Sequence, residues 1–220
     1  ASGKTETSLR LAEKFPLEII SVDSAMVFKE MNIGTCKPSL QNLENVPHHL
    51  IDILQPDAEF DVGIFIRYVD SAIQTIIQNK KIPLFVGGTM MFHKVLFDGI
   101  HDFPRDDSLR EEIDQIRRNK GYQLLLNELE LLDPETFQLI DKKNPRRVQR
   151  ALEIIKLTKT KLSLLKKEPS KKFLNSENCL ILGMNDSKNN LDISVEKRLR
   201  SIIEDGLVNE LEKLINTYKL

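Results

Sequence analysis

The sequence predicts an α/β fold in which a parallel sheet core carries a helical insertion domain. Short apolar runs alternate with helical patterns between Lys4 and Phe97, as in the crossover units of a parallel sheet. From about residue 104 to residue 165 the pattern is nearly all helical, and a further apolar run follows at 178–183. A helical block between two α/β stretches indicates an insertion into the sheet domain.

The elements of the core follow in chain order. Residues 4–14 favour a helix because Leu9, Ala12 and Phe15 fall on one side of it. Apolar runs predict strands at residues 18–22, 49–53 and 82–86, and apolar periodicity predicts helices at residues 60–80 and 90–97. In parallel sheets, ligands bind beyond the carboxyl ends of the strands, so the residues that follow these runs are candidates for a site.

The insertion is predicted from its helix-start signals. Asp133-Pro134 and Asn144-Pro145 each place a capping side chain before a proline suited to the first helical position. The run at 178–183 predicts a return to the sheet, and the chain from Leu191 onward is again helical in pattern. We therefore predict a core made of residues 1–99 and 176–220, with residues 100–175 as the insertion.

Composition excludes several classes of protein. With 40% hydrophobic and 30% charged residues, the 220-residue chain has a soluble globular composition. No apolar run approaches the ~20 residues of a membrane span, so we expect no membrane partner. We also expect a monomer. Cys36 and Cys179 are too few for a disulfide framework and lack the spacing of a zinc site, which favours a reduced, cytoplasmic setting.

Charge is concentrated in one segment, although the formal net charge is only −1. The segment from Lys142 to Lys172 contains twelve basic residues and only two acidic ones, Glu153 and Glu168. Its net charge is therefore +10, and that of the rest of the chain is −11. In the helix after Pro145, helical spacing places Arg146 and Arg150 opposite the apolar stripe. The segment is either a solvated face or a surface that contacts a phosphate backbone.

Ser2-Gly3-Lys4-Thr5 is the strongest local signal for chemistry. Backbone N–H groups at a helix N-terminus bind anions, a lysine there attracts phosphate oxygens, and the Thr5 hydroxyl can hold Mg²⁺. The alternative is a surface turn before a helix. Because these residues match only the second half of a phosphate-binding loop, and the other end stops within a helical pattern, we expect a fragment lacking material at both ends.

Polar and small residues follow the predicted strands. Asp23 can act there as a general base, a metal ligand or a helix cap. Gly87-Gly88-Thr89 stands where many phosphate-loop enzymes have an acidic magnesium ligand, which weakens an ATP-hydrolase interpretation. His48 and His49 lack neighbouring ligands and are predicted to be structural.

Arg198 is predicted near the apolar side of its helix, about 40° from Ile202. An arginine on the buried side needs an anionic partner, which is either a carboxylate of the protein or a bound ligand.

Several blocks occur together in order along the chain. They are Ser2-Gly3-Lys4-Thr5, IISVDSAMVFKEMNIGTCKP from Ile19, PHHLIDI from Pro47, IPLFVGGTMMF from Ile82 and NPRRVQRALE from Asn144. With these blocks the chain resembles the tRNA dimethylallyltransferases, also called tRNA isopentenyltransferases. The resemblance implies a P-loop NTPase (nucleotide-kinase-like) core with a helical insertion domain.

The resemblance also implies an activity. Such enzymes transfer a dimethylallyl group from dimethylallyl diphosphate to the exocyclic N6 amine of adenosine 37, 3′ of the tRNA anticodon, in tRNAs that read codons starting with U. It implies Mg²⁺ as cofactor, the tRNA anticodon stem-loop and dimethylallyl diphosphate as partners, and a cytoplasmic location.

Site residues carry over by position, as what the resemblance implies. Asp23 is the expected catalytic base, and Thr89 is expected to help hold the amine. The expected diphosphate ligands are Ala1, Ser2, Gly3, Lys4, Thr5 and Arg198, with Thr5 also on the metal. The expected tRNA contacts are Asp23, Ser24, Ala25, Met26, Thr89, Arg110, Arg146, Arg147, Val148, Gln149 and Arg150.

Four positions depart from the family pattern. Met26 stands where many members have Gln, Phe28 and Phe92 stand where Tyr is common, and Ser194 stands where an Arg often precedes Arg198 by one turn. These departures bear on fine specificity and not on the reaction. Two other functions are kept as alternatives: a small-molecule P-loop kinase using ATP, and an RNA-binding module that grips phosphate without catalysis.

Overall fold

The computed structural model describes residues 3–101, 103–170, 172–185 and 187–218. The chain divides into two compact units, one formed by residues 1–97 with 173–220 and the other by residues 98–172. These boundaries lie two or three residues from the predicted ones.

The first unit is built on a parallel sheet of β1 (Leu17–Ser21), β2 (His48–His49) and β3 (Ile82–Val86), in the order β2-β1-β3. Within β1, Ile19 pairs with His48 and Ser21 pairs with Val86. Because the strands are parallel, their carboxyl ends lie at one edge. The predicted first and third strands are confirmed. The predicted strand at 49–53 is wrong beyond His49, because Leu50 and Asp52 adopt left-handed backbone conformations that a strand cannot accommodate.

Helices make up most of the rest of the described chain. In chain order they are α1 (Lys4–Lys14), α2 (Leu40–Asn45), α3 (Val62–Gln78), α4 (Met90–Asp98), α5 (Asp107–Lys120), α6 (Tyr122–Leu132), α7 (Pro134–Leu139), α8 (Pro145–Thr158), α9 (Leu162–Leu165), α10 (Lys188–Glu204) and α11 (Leu207–Tyr218). The helices predicted at 4–14, 60–80 and 90–97 correspond to α1, α3 and α4. In the described ranges, no helix is both long and apolar enough to cross a membrane.

The core of the first unit forms where α3 packs on the sheet. The Asp61 side chain caps α3 by accepting a hydrogen bond from the Ile64 amide at 2.8 Å. Phe65, Val69 and Ile76 follow at helical spacing and are fully buried. They join Ile20 and Val22 of the sheet region in one apolar cluster, which fixes the sheet edge that carries the candidate site.

The strand predicted at 178–183 is wrong. Ser176–Asn178 form a short 3-10 helix, and residues 179–185 have no regular secondary structure. Leu180 is 86% exposed. In the described part of the chain, no strand pairs with this run, and a strand needs such a partner to satisfy its backbone hydrogen-bonding groups. An apolar run alone therefore did not determine the structure here.

The second unit is a helical cluster of α5 to α9 with its own core, in which Leu129, Val148 and Leu152 are fully buried. Both predicted helix starts are confirmed. The carboxylate of Asp133 accepts from the Thr136 amide at 3.1 Å, and the side chain of Asn144 accepts from the Arg147 amide at 3.4 Å. A proline begins each of these helices.

Candidate functional site

A cleft of about 480 Å³ lies in the first unit, where the strands end. The start of α1 contributes Lys4 and Thr5, the chain after β1 contributes Asp23, and α10 contributes Arg198. Four residues predicted to share a site from widely separated parts of the chain therefore line one cavity. The predicted phosphate-loop residues Ala1 and Ser2 lie outside the described residues.

The start of α1 has the geometry of an anion site. Gly3 adopts a left-handed conformation with φ of 76° and lines the cleft with Lys4 and Thr5. A helix start leaves backbone N–H groups without helical partners, and these groups together with the helix dipole favour a bound anion. The arrangement therefore suits a phosphate or diphosphate ligand.

Asp23 stabilises a turn after β1, and no helix begins there, so the predicted helix-cap role is wrong. Its Oδ1 atom accepts hydrogen bonds from the amides of Ala25, at 2.8 Å, and Met26, at 3.2 Å. Its Oδ2 atom has no hydrogen-bond partner in the described part of the chain. One oxygen thus fixes the turn formed with Ser24, Ala25 and Met26, while the other is available to a substrate.

Thr89 is placed beside Asp23 by the backbone, although it is not among the described residues that line the cleft. Its amide donates to the Val22 carbonyl at 3.3 Å, and the Val22 amide donates to the Val86 carbonyl at 2.8 Å. Gly87 lies at this crossing, where a β-carbon would meet the Val22 backbone. The ends of β1 and β3 are therefore held at backbone contact.

Arg198 corrects the prediction made for its helix. Its side chain is exposed, and no described residue of α10 is fully buried. Its Nε atom donates to the Cys36 sulfur at 2.9 Å. No protein carboxylate pairs with it among the described residues, so the guanidinium remains available to a ligand in the cleft.

The two histidines have the structural contacts that were predicted. His49 hydrogen-bonds through Nε2 to the buried carboxylate of Glu18 at 2.7 Å, and His48 hydrogen-bonds through Nδ1 to the Val46 carbonyl at 2.6 Å. Burial alone raises the pKa of Glu18, but hydrogen bonds from His49 and Asn79 outweigh it and lower that pKa. The carboxylate is thus held ionised inside the sheet.

In the second unit, Glu153 organises several residues that were predicted to contact nucleic acid. This buried carboxylate accepts from Arg150 at 2.7 Å, from Arg110 at 2.9 Å and from the Asp106 amide at 2.9 Å. Burial alone raises the pKa of Glu153, but these hydrogen bonds outweigh it and lower that pKa. Glu153 lies inside the apolar stretch 151–155, three residues after Arg150. This spacing allows an ion pair along the helix, and it was the sequence signal for the network that we missed.

This network changes the predicted nucleic-acid contacts. Arg150 was predicted opposite the apolar stripe, yet it bridges Glu153 and the carbonyls of Phe103 and Pro104, so its donors serve the protein itself. Val148, which was also expected to contact tRNA, is fully buried in the core, so its side chain is not available to tRNA in this structure. Gln149 donates to the Arg110 carbonyl at 2.9 Å.

The basic segment retains exposed positive charge after internal pairing is counted. Lys156 pairs with Glu128 at 2.8 Å, and Lys167 pairs with Glu135 at 3.2 Å. Arg146 is exposed and has no ion-pair partner among the described residues, as predicted for the face opposite the apolar stripe. The other exposed basic residues of this kind in the described part of the segment are Lys142, Lys143, Lys159, Lys161, Lys166 and Lys172.

The departures from the family pattern have distinct surroundings. Met26 lines the cleft, and its sulfur accepts from the Ser21 hydroxyl at 3.9 Å. Phe92 is buried and stacks on Phe65 with ring centroids 4.2 Å apart, and Phe28 packs edge-on against Phe60. Phe92 is therefore a core residue in this protein.

Comparison with known proteins identifies the family. The family model described as IPP transferase matches residues 26–220. The chain belongs to the IPP transferase family. The chain is 39% identical over 217 residues to tRNA dimethylallyltransferase 2 of Geotalea uraniireducens, and the aligned region covers 98% of this chain and 69% of that protein.

Solved structures agree with this assignment. A tRNA isopentenylpyrophosphate transferase from Bacillus halodurans is 33% identical to this chain, with a TM-score of 0.63 over 98% of this chain and 67% of that one. A eukaryotic dimethylallyltransferase acting on tRNA is 29% identical, with a TM-score of 0.84 over 99% of this chain and 54% of that one. The resemblance found in the sequence is confirmed, and the comparisons support a transferase over the ATP-dependent kinase.

Proposed function

We propose that this protein moves a dimethylallyl group from dimethylallyl diphosphate to the N6 amine of adenosine 37, 3′ of the anticodon, in tRNAs that read codons starting with U. The observation that carries the proposal is the single cleft lined by Lys4, Thr5, Asp23 and Arg198. The cleft combines a helix start suited to anions, the cations Lys4 and Arg198, and the carboxylate of Asp23. Family membership supplies the reaction, and the cleft supplies groups suited to each of its demands.

The first demand is stabilisation of the leaving group. Negative charge grows on the diphosphate as the carbon–oxygen bond of the dimethylallyl group breaks. Backbone amides at the start of α1, the Lys4 ammonium and the Arg198 guanidinium are suited to bind that charge. Preorganised donors of this kind typically contribute about 3 kcal/mol each to transition-state stabilisation. We therefore assign this helix start to the second half of a phosphate-binding loop in a nucleotide-kinase-like core.

The oxygen ligands in the cleft are also of the type that Mg²⁺ prefers, since Thr5 offers a hydroxyl and Asp23 a carboxylate. We assign Thr5 as the residue that would hold Mg²⁺ together with diphosphate oxygens. The ion would add further neutralisation of the leaving group.

The second demand is removal of a proton from a weak nucleophile. The adenine amine has its lone pair delocalised into the ring, so its attack on carbon is helped by a base. In the proposed step the N6–carbon bond forms while the carbon–oxygen bond breaks, and the N6 proton passes to Oδ2 of Asp23. General-base assistance contributes roughly 10²- to 10⁴-fold. We assign Thr89 to help hold the amine, and its amide hydrogen bond to the Val22 carbonyl, next to Asp23, supports this role.

The third demand is presentation of the adenine. A base stacked in the anticodon loop must leave the stack to reach a cleft of this kind. Exposed cations of the basic segment, such as Lys143 and Arg146, are suited to hold the phosphate backbone while it does so. The proposed cytoplasmic location agrees with such a substrate.

Two measurements test the proposal. Incubating the purified protein with dimethylallyl diphosphate and unmodified tRNA is expected to yield N6-dimethylallyladenosine in the anticodon loop, detected by mass spectrometry of nucleosides. Thermal unfolding is expected to shift upward with dimethylallyl diphosphate and Mg²⁺ more than with ATP and Mg²⁺. Folded protein that is stabilised by ATP alone and forms no prenylated nucleoside would overturn the proposal in favour of the kinase.

A further inference from the structure

The carboxylate of Glu210 is held by three consecutive backbone amides of a distant loop. Its Oε2 atom accepts from the Asn32 and Ile33 amides, each at 2.8 Å, and its Oε1 atom accepts from the Gly34 amide at 3.0 Å. Successive N–H groups that converge in this way form a concave anion-binding nest. Here the anion is a side chain of the protein itself, about 180 residues away in sequence.

From this contact we infer that Glu210 is a positioning residue for the reaction. Glu210 anchors the loop at residues 31–37, and this loop in turn orients Arg198 in the cleft. The inference rests on the proposed function, because it assigns Arg198 to the diphosphate.

Hydrogen bonds connect the nest to Arg198 step by step. The Ile33 carbonyl accepts from the Cys36 amide at 3.0 Å, and the Asn32 carbonyl accepts from the Lys37 amide at 3.1 Å. The Cys36 sulfur then accepts from Nε of Arg198 at 2.9 Å. The amides of Asn32 and Ile33 donate to Glu210, and their carbonyls accept from the amides of Lys37 and Cys36.

The loop also lies close to α11. A β-carbon added to Gly34 would lie 3.0 Å from Cδ1 of Leu207 and 3.6 Å from Oε1 of Glu210, so the loop backbone approaches α11 closely. Cys36 has φ of 54°, a left-handed conformation that non-glycine residues keep only where their surroundings impose it. The Glu210 anchor is a contact that can impose it.

The loop also borders the cleft, so its position affects the residues that line the cleft. Cys36, Pro38 and Arg198 line both the cleft and an adjoining cavity of about 600 Å³ that extends along α10. These three residues therefore form the wall between the two spaces. If the loop shifts, Cys36 no longer directs Nε of Arg198, and the exposed guanidinium is free to point away from the cleft.

Glu210→Gln in the full-length protein tests the inference. Glutamine keeps one acceptor oxygen and places an NH₂ group against a backbone amide, so the nest loses part of its hydrogen bonding. The KM for dimethylallyl diphosphate is expected to rise roughly tenfold, in keeping with one lost charge-assisted hydrogen bond. The KM for tRNA is expected to stay unchanged. Lys213→Met, which removes an exposed ion pair between α11 and Glu30, the residue just before the loop, is the matched control and is expected to leave both values unchanged.

A double-mutant cycle separates positioning from general stability. In an Arg198→Ala background, Glu210→Gln is expected to have no further effect on the KM for dimethylallyl diphosphate, because the group it orients is gone. Equal effects of Glu210→Gln with and without Arg198, or an unchanged KM in an active wild-type enzyme, would overturn the inference. If Glu210→Gln does not fold, Glu210→Asp carries the same prediction, because its charge remains but its shorter side chain withdraws from the nest. An inactive wild-type protein would instead refute the proposed function itself.

Discussion

Gly87 packs against Val22 so closely that no side chain fits between them. A β-carbon on Gly87 would lie 2.0 Å from the Val22 carbonyl oxygen and 2.7 Å from its α-carbon. Asp23 follows Val22 directly, so the residue proposed as the base is fixed in place by the crossing of the two strand ends. The glycine at position 87 thus has a steric reason in this protein.

Gly87→Ala is therefore expected to destabilise the protein and to reduce turnover. The added methyl group must push β3 away from the Val22 backbone, and overpacking of this kind costs about 2 kcal/mol. The displacement also moves Asp23 relative to Lys4 and Arg198. Urea unfolding and steady-state turnover would measure the two effects.

Gly88→Ala is the matched control for that substitution. A β-carbon at Gly88 meets no atom within 4 Å in the described structure. Stability is expected to change by less than about 0.5 kcal/mol. Equal destabilisation by the two substitutions would contradict the steric argument for Gly87.

Asp23→Asn is expected to abolish most turnover while leaving dimethylallyl diphosphate binding intact. Asparagine keeps an oxygen for the Ala25 and Met26 amides but cannot accept the N6 proton at neutral pH. The rate is expected to fall roughly 10²- to 10⁴-fold. Glu13→Gln, which changes an exposed carboxylate of α1 outside the cleft, serves as control. A parallel loss of diphosphate affinity would argue against the base role.

The parts of the fold that could be predicted from the sequence are those set by short-range signals. The capping residues Asp133 and Asn144, and the apolar spacing of α3, act over a few residues and were read correctly. The run at 178–183 was misread because a strand depends on a pairing partner, which local pattern does not contain. The left-handed residues Leu50 and Asp52, which end β2, also left no signal in the sequence.

The site was predictable to the extent that its residues follow strands or begin a helix. Lys4, Thr5 and Asp23 are of this kind. The contacts of Glu210 and Glu153 join positions distant in sequence, and no short motif encodes such a pairing. The internal contacts of Arg150 were missed for this reason, because helical spacing alone does not reveal its bonds to Glu153 and to the carbonyls of Phe103 and Pro104.

Glu153→Gln is expected to weaken the second unit. Removing the buried charge leaves Arg150 and Arg110 without their shared carboxylate, and the half-exposed arginines recover only part of that loss from water. We expect a loss of about 2 kcal/mol in the free energy of unfolding. Glu168→Gln, at an exposed position, is expected to be neutral. Hydrogen exchange at α8 would locate the effect, and uniform exchange in both variants would contradict it.

Acid is expected to destabilise the protein partly through Asp133. Burial alone raises the pKa of this carboxyl, but hydrogen bonds from Ser163 and Thr136 outweigh it and lower the pKa from 3.8 to about 2. Because the folded pKa is below the unfolded one, the contribution is fully present above about pH 4 and is lost as pH falls toward about 2. It amounts to about 2 kcal/mol. The stability difference between wild type and Asp133→Asn should shrink over that range, and a constant difference would exclude this linkage.

Replacing Arg146 and Arg147 together by Gln is expected to weaken tRNA binding and make it less dependent on salt. Arg146 is exposed and has no ion-pair partner in the described chain, and Arg147 has only a 3.6 Å pair with Asp141, so both can reach phosphate. Each lost phosphate contact lowers the slope of log affinity against log salt by about 0.7 to 0.9. The KM for dimethylallyl diphosphate should stay unchanged. Lys120→Gln, at an exposed basic residue outside the segment, is the control. A slope equal to that of wild type would show that this end of α8 is a solvated face rather than a phosphate contact.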